Sequence, residues 1–434
     1  MYKNCSVKPQ RFDIVLPFSD FRMQAIFDHP EALAFCLTLD SNSAKGLVFR
    51  NPIFEGVPNA LLLEQFNLYQ LAKDKLPSLV STGYWVFPDR IAIEQSTSEA
   101  LARWKAKTFF AQPGPFWDAC AGLGSDTFFM AHLQEEVQVW EPDPARAKAL
   151  KFHLRLAGFE RFLVHQNLFP ETNSSKVQPP DPGYYFYADP DRRPKPGQRI
   201  ASWLEAQPSL HQLAAWAEET KARFLVKLSP MDDGESVLEV FPQFEQLYVV
   251  SLHNEVKELL LYRDFSRPHP GCIQRFAVEI RHDQSWAKIP VMETFTNTFS
   301  EVSPIKGSII LDPWATLRKS NYSRSVAQEM HLSCISENAR LFQTHQLIQD
   351  WPGRMFRILE VFDSVAQAAK QVRGKDLHVI SRSFPVSASD LVRRYKWVER
   401  GSLFLICFEN LKQKRYVLLC ERIENSWSEE FWQK

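Results

Sequence analysis

Asp118 to Asp126 read DACAGLGSD, directly after the apolar pair Phe116-Trp117. A strand has to stop near Cys120, and a helix begins near Asp126 and continues through Phe128, Phe129, Met130 and Leu133. Between them, Gly122 and Gly124 let the backbone turn tightly and approach a ligand with no Cβ in the way. Only 15 of 434 residues are glycine, so two of them spaced one apart at a strand-to-helix junction form a positional signal. The pattern predicts a binding turn at the end of a parallel strand.

The surroundings narrow the ligand. A dinucleotide fingerprint, G-x-G-x-x-G, takes Gly or Ala at its third site, where Thr127 stands in this chain. Asp118 and Asp126 flank the turn and would repel a pyrophosphate, whereas they would attract a ligand with a sulfonium and an amino acid end. S-adenosylmethionine fits that setting better than NAD. About twenty residues past Gly122, the alternation Val137, Val139, Trp140 ends at Glu141, where a carboxylate at a second strand end can chelate ribose hydroxyls. A solvated Glu ahead of a helix from Ala145 to Leu156 is the plainer alternative.

These residues resemble the core of class I S-adenosylmethionine-dependent methyltransferases. DACAGLGSD is similar to that family's first motif and VWEPDP to its second. The resemblance implies cofactor contacts at Asp118, Ala121, Gly122, Gly124 and Asp126, with Glu141 at the ribose. It also implies that Asn167, where the family usually has an Asp, accepts a bond from the adenine amino group. YYFYADPDRRP, Tyr184 to Pro194, resembles the fourth motif, which ends a strand beside the transferring methyl. Family members acting on nitrogen usually read Asp/Asn-Pro-Pro and an aromatic there. This chain departs, with Asp189-Pro190 followed by Asp191-Arg192-Arg193.

A closer resemblance, over nearly the whole chain, is to bacterial methyltransferases with a C-terminal THUMP-like domain. It is carried by KDKLPSL (Lys73 to Leu79), IEQSTSEALARWKA (Ile93 to Ala106), ADPDRR, VKLSPMDD (Val226 to Asp233), VVSLHNEVKELLL (Val249 to Leu261) and VISRSFPVSASDL (Val379 to Leu391). By family association, the THUMP-like domain implies docking of RNA.

Composition bounds these readings. A 434-residue chain with 45% hydrophobic and 24% charged residues is globular and long enough for two or three domains. Net charge is +0, so the global field does not mark a nucleic-acid binder, and any such role must be local. Seven scattered cysteines without a C-x-x-C pair argue against a disulfide framework and a zinc site, and no metal is expected. The absence of a run near the roughly 18 residues of a membrane span, and of an apolar stretch in MYKNCSVKPQRF, leads to the expectation of a cytoplasmic protein with no membrane partner.

The expected organisation is a helical N-terminal region (1–92), a Rossmann-like α/β methyltransferase core (93–264) and an α+β region (265–434). The last would hold a small ferredoxin-like segment at about 270–310 and then the THUMP-like domain. In the first part, Ala60 to Leu71 has helical recurrence, Pro77 bars its continuation past Lys75, and Ser96 to Glu99 reads as a capping box. Glu94 and Gln95, just ahead of the first motif, are candidates to face the acceptor. In the core, strands are expected at Arg161 to Leu168 and Ala222 to Leu228, with a helix from Leu210 to Thr220. A hairpin turns at His253-Asn254-Glu255. A late antiparallel strand in an otherwise parallel sheet is what a methyltransferase fold implies. RDFSRPHPG, Arg263 to Gly271, reads as a boundary. Beyond it, strands are expected at Gln274 to Ile280, Gly307 to Leu311, Leu377 to Ser381, Leu403 to Glu409 and Tyr416 to Cys420.

Between Gln371 and Cys420, ten Lys or Arg stand against four Asp or Glu. Arg382, Arg393, Arg394, Lys396 and Arg400 are the densest part, and Arg393, Lys396 and Arg400, at helical spacing, form either a phosphate-neutralising face for RNA or a solvated helix face. At the expected reaction centre, Asp189 can orient or deprotonate an acceptor and the Pro190 carbonyl can accept a bond. Arg192 and Arg193 either fork onto a phosphate or carboxylate or pair with Asp191 or Asp181. The function expected is methyl transfer to tRNA or rRNA. A catalytically silent RNA-binding protein, and a methyltransferase acting on a small molecule or protein, are the alternatives.

Overall fold

The computed structural model describes residues 20–170, 178–191, 203–291 and 300–424. The chain falls into two compact units, Met1–Lys195 with Leu204–Arg223, and Pro196–Trp203 with Phe224–Lys434.

In the first unit, the helices α1 (Asp20–Asp28), α2 (Glu31–Leu37), α3 (Ser41–Gly46), α4 (Asn59–Ala72), α5 (Pro77–Ser81) and α6 (Arg90–Gln95) precede α7 (Glu99–Phe109). The α4 recurrence holds as expected, and α5 opens on Pro77, where a missing amide leaves nothing unsatisfied. These helices do not bury a core of their own. Trp85, Val86 and Phe87 share one with Leu123, Phe129 and Ala149. Gln65, fully buried on α4, donates to the Phe87 carbonyl (2.8 Å) and accepts from the Phe87 amide (3.1 Å).

The capping box at Ser96 to Glu99 does not form. Ser98 is the N-cap of α7 with no side-chain bond, and the Ser96 hydroxyl donates to the Ile93 carbonyl (2.8 Å). Tertiary partners take Glu99 instead: its buried carboxylate accepts from the Ser78 amide (2.7 Å), the Ser78 hydroxyl (2.6 Å) and Arg103 Nε (2.6 Å).

After α7 come β1 (Pro115–Asp118), α8 (Ser125–Met130), β2 (Glu136–Trp140), α9 (Pro144–Leu156), β3 (Phe162–His165), β4 (Tyr185–Ala188) and α10 (Leu210–Glu219). The strands run in the order β3-β2-β1-β4, all parallel. Phe116 and Trp117 on β1 and all of β4 are buried, as strands covered on both faces require.

The second unit holds two sheets. In the first, β5 (Arg223–Leu228), α11 (Gly234–Val240), β6 (Gln246–Leu252), β7 (Glu255–Asp264), β8 (Gln274–Ile280) and β9 (Trp286–Pro290) give the strand order β5-β7-β6-β8-β9. The expected hairpin is present, with β7 antiparallel to β6 and a turn at His253-Asn254, both in the left-handed region at φ 54° and 63°. β8 pairs parallel with β6, so residues 274–290, expected within a ferredoxin-like segment, continue this sheet.

The second sheet is built from β10 (Ile309–Pro313), α12 (Ala315–Lys319), α13 (Ser323–Glu329), β11 (Ser333–Ser336), β12 (Leu341–Thr344), β13 (Gly353–Phe362), α14 (Val365–Gln371), β14 (His378–Arg382), α15 (Ala388–Tyr395), β15 (Leu403–Glu409) and β16 (Arg415–Ile423). Its order is β11-β12-β10-β13-β16-β15-β14. Flat spacing of about 4.8 Å per strand would hold β11 and β15 roughly 24 Å apart. Yet the Ser336 hydroxyl on β11 donates to the Glu409 carbonyl on β15 at 2.9 Å. The sheet therefore curls like an incomplete barrel around Ile310, Ile335, Phe356, Ile406 and Leu418.

Candidate cofactor site

Because β1 to β4 run parallel, the residues that follow them lie along one edge: the Gly122 turn after β1, Glu141 after β2, Asn167 beyond β3 and Asp189 after β4. Backbone bonds lace these ends together. The Ala119 amide donates to the Tyr187 carbonyl (2.9 Å), the Ala121 amide to Trp140 (3.0 Å) and the Glu141 amide to His165 (3.0 Å). The chain winds one way from β1 through β2 to β3 and the other way to β4, the switch point where open parallel sheets bind ligands.

Gly122 and Gly124 both sit in the left-handed region, at φ 54° and 83°. Different neighbours hold them there. A Cβ on Gly124 would collide with Leu150 Cδ1 on α9, whereas one on Gly122 would meet no atom within 4 Å. Gly124 is thus a packing glycine, and Gly122 faces open space.

Asp118 is fully buried. One carboxylate oxygen accepts from the Cys120 amide (3.0 Å) and the other from the Thr127 hydroxyl (2.6 Å). Burial pushes its pKa up to about 7 against those two bonds, and the charges of Asp126 and Asp189 push the same way. Asp126, expected to face the ligand, is tied to its own chain: it accepts from the Thr97 hydroxyl (2.7 Å) and the Tyr187 hydroxyl (2.8 Å) and pairs with Lys105 Nζ (3.1 Å). Lys105 has no exposed surface.

Glu141 is nearly buried, and one oxygen accepts from the Asp143 amide (2.8 Å). Burial raises its pKa, opposed by the Asp143 amide, Arg146 and the Gly122 amide. Ala121 is buried beside the turn. Asn167 Oδ1 is a buried acceptor with no hydrogen-bond partner among the described residues. Such an acceptor costs about 1–3 kcal/mol until a donor reaches it. The open face at Gly122, the waiting Asn167 oxygen and the Glu141 carboxylate fit an adenosine carrying a cationic tail.

The remaining candidates separate. Asp189 is half-buried and Pro190 buried, while Asp191 is pinned by two backbone bonds with Gln207 (3.1 and 2.9 Å). Arg192 and Arg193 lie outside the described residues. Glu94 and Gln95 are exposed at the end of α6, with Glu94 engaged by Arg90 Nε (2.6 Å). From the same segment it is Thr97 that reaches the turn, through Asp126. Burial pushes the Cys120 thiol well above its ordinary range, which leaves it a poor nucleophile. His153, stacked on Trp85 with centroids 3.9 Å apart, is pushed down to about 3 by burial and stays neutral.

The motifs do not mark Thr97, Lys105 or Tyr187, and they mark Thr127 only as a departure from the third fingerprint site. For Lys105 the signal was available: Leu101 and Phe109 lie four residues either side of it on the buried face of α7. Arg382, Arg393, Arg394 and Lys396 belong to the second unit, where Arg393 pairs with Asp390 (2.5 Å) and Arg394 lies over the Tyr395 ring (5.7 Å). Arg382 ends β14, apart from α15 in sequence, and lies near Asp312. Among the described residues, no group of His, Cys, Asp or Glu can hold a metal ion, and no helix is long and apolar enough to cross a membrane.

No family model and no curated protein matches this chain. Among solved structures, a candidate methyltransferase from Porphyromonas gingivalis aligns with a TM-score of 0.74 at 22% identity, over 94% of this chain and 100% of that one. The chain has that methyltransferase's fold. A candidate class I S-adenosylmethionine-dependent methyltransferase from Listeria monocytogenes (9% identity, TM-score 0.34, 60% of this chain and 93% of that one) also aligns. So does a candidate methyltransferase from Streptococcus mutans in complex with SAH (12% identity, TM-score 0.28, 38% and 96%). Both scores are too low to bear on the assignment, which rests on the first. In this methyltransferase fold, the edge formed by the ends of β1 to β4 carries the open Gly122 turn.

Proposed function

We propose that the chain is an S-adenosylmethionine-dependent methyltransferase acting on RNA, a tRNA or rRNA, docked through a C-terminal THUMP-like region. The observation that carries the cofactor reading is the pairing of an open left-handed Gly122 with an unpartnered, buried Asn167 oxygen on the same strand-end edge. Asn167 would accept from the adenine amino group, Glu141 would hold the ribose hydroxyls, and the carboxylates of Asp118 and Asp189 would favour the cationic end.

When bound, the cofactor would supply a methyl on a sulfonium, whose sulfur departs as a neutral thioether and so leaves readily. The chain's own work is therefore positional. Asp189 orients the acceptor's N–H or O–H, and the Pro190 carbonyl offers a second acceptor beside it. Departure from the Pro-aromatic sequence after Pro190 removes the stacking ring that usually holds a flat base, so Arg192 and Arg193 are assigned to phosphate contact instead.

The RNA assignment draws on the surplus of Lys and Arg between Gln371 and Cys420. Transfer of tritium from methyl-labelled cofactor to total RNA tests it. Wild type should label RNA, and Arg393→Glu with Arg394→Glu should lose most of that labelling. Labelling of protein or small molecules with none in RNA would contradict the reading.

A further inference from the structure

The second unit carries a charge cluster at one rim of its curled sheet. Asp312 on β10 stands in register with Arg354 on β13, Arg318 follows on α12, and Arg382 ends β14. Asp312 is 1% exposed. Arg354 grips its Oδ2 through Nη2 (2.5 Å) and Nε (3.1 Å), and Arg318 Nη1 donates to Oδ1 (2.9 Å) and to the Pro313 carbonyl.

Arg382 is placed differently. Its Nη2 lies 3.6 Å from Asp312 Oδ2, beyond hydrogen-bond reach, and its Nε is buried with no partner among the described residues. The side chain is 29% exposed. Three guanidiniums thus meet one buried carboxylate. The next acid acting on Arg318, Glu279, already accepts from the Ser251 hydroxyl and the Asn254 amide. One positive charge in excess remains even if both acids are counted against the three arginines. Burying a charged donor without an acceptor is unfavourable, and a planar guanidinium fork matches the oxygens of a phosphate.

We propose that this rim is a phosphate-binding site, in which Arg382 forks onto the ligand's oxygens, Arg354 and Arg318 supply the surrounding positive field, and Asp312 holds those two guanidiniums in place. The phosphate is either the diester of a polynucleotide backbone or the terminal monoester of a nucleotide. The inference does not depend on the cofactor reading of the first unit.

Titration of the full chain with inorganic phosphate at low ionic strength, followed by calorimetry and phosphorus NMR line width, tests the site. Wild type should bind. Arg382→Gln should weaken binding by at least about tenfold, and Arg382→Lys, which keeps the charge but loses the fork, should fall between. Arg267→Gln, at an exposed arginine that pairs with Asp264 (3.3 Å), should match wild type. Among the described residues Arg382 makes no hydrogen bond, so Arg382→Gln should unfold at the wild-type temperature when phosphate is absent, and Arg382→Lys gives a second readable variant.

Displacement of phosphate by a hydroxyl-ended oligoribonucleotide assigns the site to a backbone diester, and displacement by AMP to a terminal monoester; either supports the proposal. No binding by wild type, equal binding by Arg382→Gln, or an equal loss in Arg267→Gln would overturn it.

Discussion

Two fully buried aspartates, Asp118 on the strand-end edge and Asp312 on the rim of the curled sheet, titrate in opposite directions. Burial and the neighbouring carboxylates push Asp118 up to about 7. Burial pushes Asp312 the same way, but Arg318, Arg354 and Arg382 together outweigh it and hold the carboxyl below its usual range. Burial alone therefore does not set the charge; the sign of the local surplus does. At the first edge Lys105 pairs with Asp126 (3.1 Å), while the carboxylates of Asp126 and Asp189 both bear on Asp118. At the rim the arginines outnumber the acids. The clustered carboxylates suit a cation and the clustered arginines an anion.

The sharpest way to break this contrast is to remove each buried counter-charge. Asp312→Ala should cost about 3–5 kcal/mol in urea unfolding, because it strands guanidiniums that now share one carboxylate. Lys105→Met should cost a similar or slightly smaller amount, since Asp126 keeps two hydroxyl donors. A loss under about 1 kcal/mol in either would show that the counter-charge is dispensable.

A smaller effect is expected from titrating Asp118. A cationic ligand favours the carboxylate, so affinity for S-adenosylmethionine should rise with pH up to about 7, by at most about tenfold per unit, and level off above it. Asp118→Asn should flatten that profile. Without ligand, the folded pKa lies above the unfolded one. The stabilising contribution is then fully present below about 4 and is lost as pH rises through about 7. His153, pushed down to about 3, acts oppositely: its contribution is present above its unfolded value near 6.5 and is lost as pH falls toward 3. The two windows overlap, so the informative quantity is the difference between wild type and Asp118→Asn at each pH.

The smallest effect is expected from Thr97→Val, which removes one hydroxyl donor from Asp126 and should lower stability by about 1 kcal/mol. No change would mean that this segment does not brace the turn.

Much of this was legible in the chain. The glycine turn and the strand-end carboxylate follow from short-range backbone rules, and β8, β15 and the His253-Asn254 hairpin lie where alternation and turn residues put them. Features decided by tertiary partners were less visible. Ser96 and Glu99 have capping-box spacing, but Ser78 and Arg103 compete for the carboxylate. Asp126 flanks the turn as a ligand-facing acid would, yet a lysine from α7 claims it. β13 was not anticipated because Arg354, Arg357 and Glu360 interrupt its apolar pattern, and one of these arginines serves Asp312 rather than solvent.

Calorimetry with S-adenosylhomocysteine on wild type, Gly122→Val and Glu141→Ala tests the cradle most directly. A side chain at Gly122 would enter space that no protein atom fills, so that variant should fold with only local backbone strain. Wild type should bind, Gly122→Val should not, and Glu141→Ala should bind about tenfold or more weakly. Equal affinity in all three proteins would contradict it.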